Sequence, residues 1–289
     1  MGRLTQRRKV TVVRRDDEAG LRVTRRPDTV IVEEPMELRV GGAPLSVTMR
    51  TPGRDIDLIH GFLFTEGIIG SMADVSTARY CAGSVTDDET GTPQNTYNVL
   101  DVALAAGVPL PQVEASRNFY TTSSCGVCGK ASIESISQQV RWPVADDDTT
   151  FEADVLLDLP DKLRAQQSAF DRTGGLHAAG LFTADGEALQ VAEDVGRHNA
   201  VDKVIGWALR NGRLPGRGCV LAVSSRASFE LTQKALMAGI PALVAVSAPS
   251  SLAIECAEDT GMTLAGFVRG GRMNVYTGDR RIVGATSRE

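Results

Sequence analysis

The sequence predicts an α/β protein. Its C-terminal part reads as a mostly parallel sheet with helices on both faces, and a smaller α+β domain precedes it. Two observations carry this. From residue 176 onward, short β-branched runs alternate with helical stretches of about 10–12 residues, the pattern of strands joined through crossover helices. Before that, β runs are separated by tight turns and interrupted by one clear helix. A length of 289 residues is enough for two modest cores.

The first 26 residues hold nine Arg or Lys against three Asp or Glu. Residues 1–27 therefore read as a basic arm or edge strand, either a solvated tail or a docking element for a negatively charged partner. An α+β domain is expected over 28–145. Val30-Ile31-Val32 is β-branched, Leu38-Arg39-Val40 alternates, and Gly41-Gly42 supplies a hairpin turn before a strand over 45–49. Ile56, Ile59, Phe62 and Leu63 follow at helical spacing, with Gly67 as a stop. The stretch 87–95 is polar and rich in breakers, and a strand is expected over 96–103.

The acidic connection 145–150 marks a boundary, and the α/β domain is placed at 146–289. A helix over 154–170 is expected to break near Pro160. Strands over 176–182 and 188–193 form a hairpin across Asp185-Gly186. Then follow a helix over 198–209, a strand over 219–223, and a helix over 228–238 ending at Gly239. A strand over 242–246, a helix over 251–258 ending at Gly261 and a strand over 262–268 come next. The chain closes with a turn at Arg269-Gly270-Gly271 and a strand over 273–276.

The hydrophobic share of 42% and charged share of 23% are those of an ordinary globular protein. A net charge of −5 argues against general nucleic-acid binding. No apolar run is long enough to span a bilayer, and the start is basic and polar rather than signal-like, so no membrane role and cytoplasmic residence are expected.

The densest chemical motif is Ser123-Ser124-Cys125-Gly126-Val127-Cys128-Gly129-Lys130. A thiol reacts as its thiolate, which a nearby cation or a helix N-terminus favours. Lys130 supplies the cation. The apolar spacing after it (Ile133, Ile136, Val140) predicts a helix start. A zinc site would need a second close pair, but Cys81, Cys219 and Cys256 are isolated in sequence. Five cysteines without a secretory signal also disfavour a structural disulfide. Cys125 and Cys128 therefore read as reactive thiols on a loop.

In sheets of this type, ligands bind at the carboxyl ends of strands. Three segments fall there: Ser224-Ser225-Arg226, Ser247-Ala248-Pro249-Ser250-Ser251 and Arg269-Gly270-Gly271-Arg272. Hydroxyls, free amides and guanidinium groups on one edge suit a phosphate or pyrophosphate, although serine caps and glycine turns are common for purely structural reasons. The run from Glu193 to Lys203 could supply an acid and a base, but a capped, ion-paired helix start is the favoured reading. His60 inside its helix reads as a packed histidine.

The cysteine loop occurs in order with His60-Gly61-Phe62-Leu63-Phe64-Thr65-Glu66-Gly67, Gly174-Gly175-Leu176-His177, the Glu193 to Lys203 stretch, Ser224-Ser225-Arg226 and the segment 267–276. Together these resemble the formate dehydrogenase accessory sulfurtransferase family, FdhD, over nearly all the chain after the basic arm. The resemblance implies a sulfur carrier. It takes persulfide sulfur from a cysteine desulfurase and passes it to Mo-bis(molybdopterin guanine dinucleotide) for formate dehydrogenase. It also implies a homodimer and a cytidine-deaminase-like C-terminal fold. Cys125 would carry the persulfide with Cys128 assisting. Phe267, Val268, Arg269, Gly270, Gly271 and Arg272 match the family's cofactor-binding segment, joined by Ser224, Ser225 and Arg226. No permanently bound metal is expected. Deamination itself is disfavoured, because His177-Ala178-Ala179 lacks the acid/base glutamate and no Cys pair follows downstream. A non-catalytic cofactor chaperone with a redox-regulated Cys pair is the alternative.

Overall fold

The structure, a computed structural model, describes residues 4–16, 20–81, 84–86, 93–95, 98–111 and 140–284. The cysteine loop with Cys125 and Cys128, and the helix expected after it, lie outside the described residues.

The basic arm is a two-stranded ribbon, β1 (Thr5–Asp16) paired antiparallel with β2 (Gly20–Ile31). Its register places Val13 opposite Val23 and Arg15 opposite Leu21. Side chains alternate across a strand, so Val13, Leu21 and Val23 share a face with Lys9, Arg15 and Arg25. All three apolar residues on that face are exposed.

Next comes a four-stranded sheet in the order β4-β3-β8-β5. It uses β3 (Glu34–Val40), β4 (Ala43–Arg50), β5 (Val75–Tyr80) and β8 (Val99–Leu104). Gly41 and Gly42 both take positive φ, as the two-residue turn between β3 and β4 requires. The short strands β6 (Ser84–Thr86) and β7 (Pro93–Asn95) pair with each other. Helix α1 (Asp55–Thr65) covers one face of the four-stranded sheet with Ile59 and Leu63.

The main sheet has six strands in the order β11-β10-β12-β13-β14-β15. These are β10 (His177–Thr183), β11 (Ala188–Asp194), β12 (Cys219–Val223), β13 (Ala242–Ala245), β14 (Thr263–Arg269) and β15 (Arg272–Thr277). The expectation of a mostly parallel sheet is corrected here. Only β12–β13 and β13–β14 pair parallel, while β10–β11, β10–β12 and β14–β15 are antiparallel. The outer pairs are hairpins, and a strand that returns through a tight turn can pair only antiparallel. A small parallel pair, β9 (Phe151–Glu152) with β16 (Ile282–Val283), ties the chain end to the start of this region.

Helices do cover both faces. On one face, α2 (Ala153–Arg164) lays Leu156, Leu159 and Leu163 over Ala178, Val220, Ala222, Ala242 and Val244. On the other, α4 (Arg197–Arg210), α5 (Phe229–Met237) and α6 (Ser251–Asp259) pack against Ala179, Leu181, Leu221, Val223, Leu243 and Leu264. The expected break at Pro160 does not occur. Helix α2 runs through it to Arg164, and a separate short helix, α3 (Ser168–Thr173), follows. Proline inside a helix costs about 3 kcal/mol. Burying three leucines gains roughly 1.5–3 kcal/mol each, which outweighs that cost.

The N-terminal sheet and the main sheet share one apolar core. Met36, Leu38, Leu100 and Val102 belong to the same cluster as Val201, Val204 and Leu221. The joint is the crossing of α1 and α4. A Cβ on Gly61 would run into the Asp202 carbonyl, and one on Gly206 would run into the carbonyl of Asp57. Two glycines thus let the two backbones touch.

Candidate functional site

The ends of the main sheet's strands converge on one edge. The carboxyl ends of β12, β13 and β14 lie there, with the start of β10 and the end of β11 alongside. A cavity of about 580 Å³ opens at this edge, the size range of small-ligand sites. Ser224, Val246, Arg269 and Gly270 line it from the strand ends, and His177 and Val195 from the antiparallel strands. Asp161, Arg164, Gln167 and Phe170 close it from α2 and α3.

Several elements hold these groups in place. The Ser224 hydroxyl accepts the Ala178 amide at 2.9 Å, and the Ala178 carbonyl accepts the Ser224 amide at 3.0 Å. Glu193 caps the α3 start by accepting the amides of Ala169 (3.0 Å) and Phe170 (2.8 Å). Helix α3 ends at Gly174, whose positive φ is the usual left-handed cap. The Arg164 guanidinium lies 4.8 Å from the centre of the Phe170 ring and pairs with Asp171.

Strand β14 bulges between Gly266 and Arg269. Phe267 sits at φ 53°, a strained conformation for a residue with a side chain. Its amide donates to the Ser247 carbonyl at 3.2 Å, and its ring lies 6.0 Å from the Arg269 guanidinium. Gly270 and Gly271 both have positive φ and make the tight turn between Arg269 and Arg272, which pair across it. The bulge and turn bring Arg269 to the cavity mouth.

The expected ligand-binding residues are therefore only partly brought together. Ser224, Arg269 and Gly270 line the cavity. Gly271 and Arg272 are exposed at the hairpin tip beside it. Phe267 is half-buried in the bulge, and Val268 is packed in the α2-side core. Ser225 is buried with its hydroxyl donating to the Arg226 carbonyl at 3.0 Å, and the Arg226 side chain is exposed. The serine-rich stretch after β13 contributes Ser250, whose hydroxyl accepts from Ala253 as the cap of α6. Asp161, Arg164, Gln167 and Phe170 carried no motif in the sequence. Their only signal was a helix end next to the Gly174-Gly175 turn.

The histidines separate clearly. His60 is buried and donates its Nδ1–H to the Ile56 carbonyl at 2.6 Å, and burial lowers its pKa, so it is a packed, neutral histidine. His177 lines the cavity, with its pKa lowered by burial and by the nearby Arg197. His198 sits between the starts of α4 and α5, its Nε2 at 3.9 Å from Glu230. Burial, helped by Arg197 and Lys234, brings its pKa down to about 4.

The acidic and basic residues between Glu193 and Lys203 are mainly structural. Lys203 and Asp194, both buried, pair at 2.6 Å. Lys203 also donates to the Thr51 carbonyl at 2.9 Å, while Asp194 accepts the amides of Thr51 (3.1 Å) and Gly196 (2.8 Å). Asn199 donates to the Met49 carbonyl at 2.8 Å and accepts from Thr48 at 3.1 Å. This stretch clamps the β4–α1 joint onto the start of α4.

The chain is similar to proteins called sulfur carrier protein FdhD. The Streptomyces coelicolor protein is 56% identical over 98% of this chain and 97% of its own length. The Mycolicibacterium paratuberculosis protein is 58% identical over 96% and 99%. The Anaeromyxobacter dehalogenans protein is 47% identical over 88% of each. A crystal structure of a formate dehydrogenase accessory protein from Desulfotalea psychrophila shares the fold, with a TM-score of 0.72 at 22% identity, covering 97% of this chain and all of that one. With residues 31–283 matching the family itself, the chain belongs to the FdhD/NarQ family.

Proposed function

We propose that this protein is a sulfur carrier serving formate dehydrogenase. It accepts sulfur from a cysteine desulfurase and transfers it to the bis-molybdopterin guanine dinucleotide cofactor. The observation that carries the reading is the cavity at the strand ends. Arg269, Ser224 and the Gly270-Gly271 turn there offer a cation, a hydroxyl and exposed amides to a pyrophosphate. The names of the relatives support the sulfur-carrying half of the reading, and the Cys125-Gly126-Val127-Cys128 pair supplies thiols for it.

The chemistry is thiol exchange. The Cys125 thiolate attacks the outer sulfur of the donor's persulfide, the donor's S–S bond breaks, and the donor cysteine leaves as its thiolate. Attack by Cys128 on the inner sulfur of the Cys125 persulfide then releases the outer sulfur as sulfide to the cofactor. This closes a Cys125–Cys128 disulfide, which an external thiol must reopen. The active protein is a dimer in this reading, and its C-terminal sheet is of the cytidine-deaminase-like type.

The test is incubation of the reduced protein with a cysteine desulfurase and cysteine, followed by peptide mass spectrometry. One added sulfur on the peptide holding Cys125, removed by reductant and absent from Cys125→Ala, is the expected result. If Cys125→Ala still sulfurates its client's cofactor, the carrier mechanism fails. A protein that then keeps its nucleotide affinity is a cofactor chaperone.

A further inference from the structure

The N-terminal ribbon carries a charge opposite to that of the body it stands on. Residues 1–31 hold nine Arg or Lys against four Asp or Glu, while residues 32–289 hold 22 against 32. The two faces of the ribbon also differ. The β1–β2 register puts Arg7, Lys9, Arg15 and Arg25 on the face of Val13, Leu21 and Val23, with no acidic side chain among them. Asp16 and Asp28 fall on the other face, where Val10 and Val12 are half-buried. On the first face Val13, Leu21 and Val23 are 58%, 69% and 62% exposed. An apolar centre bordered by arginine is the composition of a protein interface rather than of a solubilising arm.

The foot of the ribbon fixes where a partner would stand. Ile31 belongs to the same face, and its side chain lies 3.3 Å from the position of a Cβ on Gly175. Gly175 borders the cavity at the strand ends. We infer that this face docks the apoenzyme that receives the cofactor, through a surface patch of apolar side chains ringed by carboxylates. The inference rests on the carrier reading above and adds the client's docking surface to it. Handing over a large cofactor requires the acceptor beside the cavity, and a protein seated along the ribbon is held there. Strands of 12 residues make a face about 40 Å long and about 10 Å wide. That is small for a permanent interface and suits a carrier that must release its client after each delivery. Two ribbons meeting face to face would set cations against cations, which disfavours a second copy as occupant. The joining segment Asp16-Asp17-Glu18 would repel a nucleic acid or an anionic bilayer.

The experiment measures binding of the full-length protein to formate dehydrogenase apoprotein, purified without its cofactor, by biolayer interferometry at low and high salt. Native protein should bind, and more weakly as salt rises. Arg15→Glu with Arg25→Glu should weaken binding about tenfold, chiefly by slowing association, and flatten the salt dependence. Arg14→Glu with Arg22→Glu makes the same change of charge on the other face and should alter affinity by no more than about twofold. Val13→Thr with Val23→Thr should quicken dissociation, with thermal unfolding unchanged in every variant. Equal losses from the two charge pairs, or no loss from either, overturn the assignment. So does native protein that does not bind the apoenzyme, or a first-face loss confined to desulfurase binding or to self-association. Sulfur uptake at Cys125 tests the carrier reading separately. The variant with Arg15→Glu and Arg25→Glu should take sulfur from a low-molecular-weight persulfide at the native rate, and native protein that takes none removes the carrier reading whatever the ribbon binds.

Discussion

At the scale of single residues, the most consequential group is His198, held neutral in a crowded position. Its imidazole is half-buried beside Arg197 and Lys234, and its pKa of about 4 lies well below the unfolded value of 6.5. Above pH 6.5 both states are neutral and the group has no effect. As the pH falls from 6.5 to 4, the unfolded chain takes up the proton first, so the native state loses stability across that window and the loss levels off below pH 4. His198→Gln should therefore flatten the acid limb of a stability-against-pH curve between pH 6.5 and 4, measured by urea unfolding. An unchanged acid limb would show that His198 is protonated in the fold. His198 lay within the Glu193 to Lys203 run, but whether it titrates was not legible there. That depends on Arg197 beside it and on Lys234, which comes from another helix. Gln167 was less legible still. It sits in the unremarkable run Ala165-Gln166-Gln167-Ser168, and only burial against the cavity distinguishes it from Gln166.

At the scale of elements, two kinds of feature behave differently. Local ones were legible. The Gly41-Gly42 and Gly270-Gly271 turns, the α1 spacing and the alternation of strands and helices after residue 176 depend on near neighbours, and all formed as read. Features set by distant partners were not. The parallel share of the main sheet was overestimated because the two outer hairpins had to be counted as pairings. The run from Glu193 to Lys203 looked like either a helix start or an acid/base pair, and its partners, Thr48, Met49 and Thr51, lie far off in sequence. Lys203→Met tests the clamp. Removing one partner of a buried ion pair leaves the other charge uncompensated and costs about 3–5 kcal/mol. The expected fall in urea midpoint should be partly restored by adding Asp194→Asn, which removes the stranded charge. The β1–β2 ribbon is a third kind of element. Its Val13, Leu21 and Val23 face is exposed, and most of its stability must come from where Leu4, Ile31 and Val32 rejoin the body.

At the scale of the whole molecule, the two sheets cannot be treated as independent units, since α1 and α4 touch backbone to backbone at Gly61 and Gly206. Adding one methyl at Gly206 must push the two helices apart or distort α4. Overpacking of this kind costs about 1–3 kcal/mol, and contact with a backbone carbonyl rather than a flexible side chain puts Gly206→Ala at the upper end. Differential scanning calorimetry should show one transition moved down by several degrees. Two separated transitions would mean that the sheets unfold independently.

The same crossing bears on how the chain comes into being. Helix α1 leaves the ribosome long before its partner, because Gly61 and Gly206 are separated by half the chain. At roughly 5–20 residues per second, the apolar face of α1 waits on the order of ten to thirty seconds for α4 to be made. During that interval the face of α1 around Asp57 and Gly61, which α4 covers in the fold, is left open. The nascent chain is thus a client for whatever shields hydrophobic surface at the tunnel exit, and its yield in a cell should respond to translation speed between residues 65 and 210 more than anywhere else.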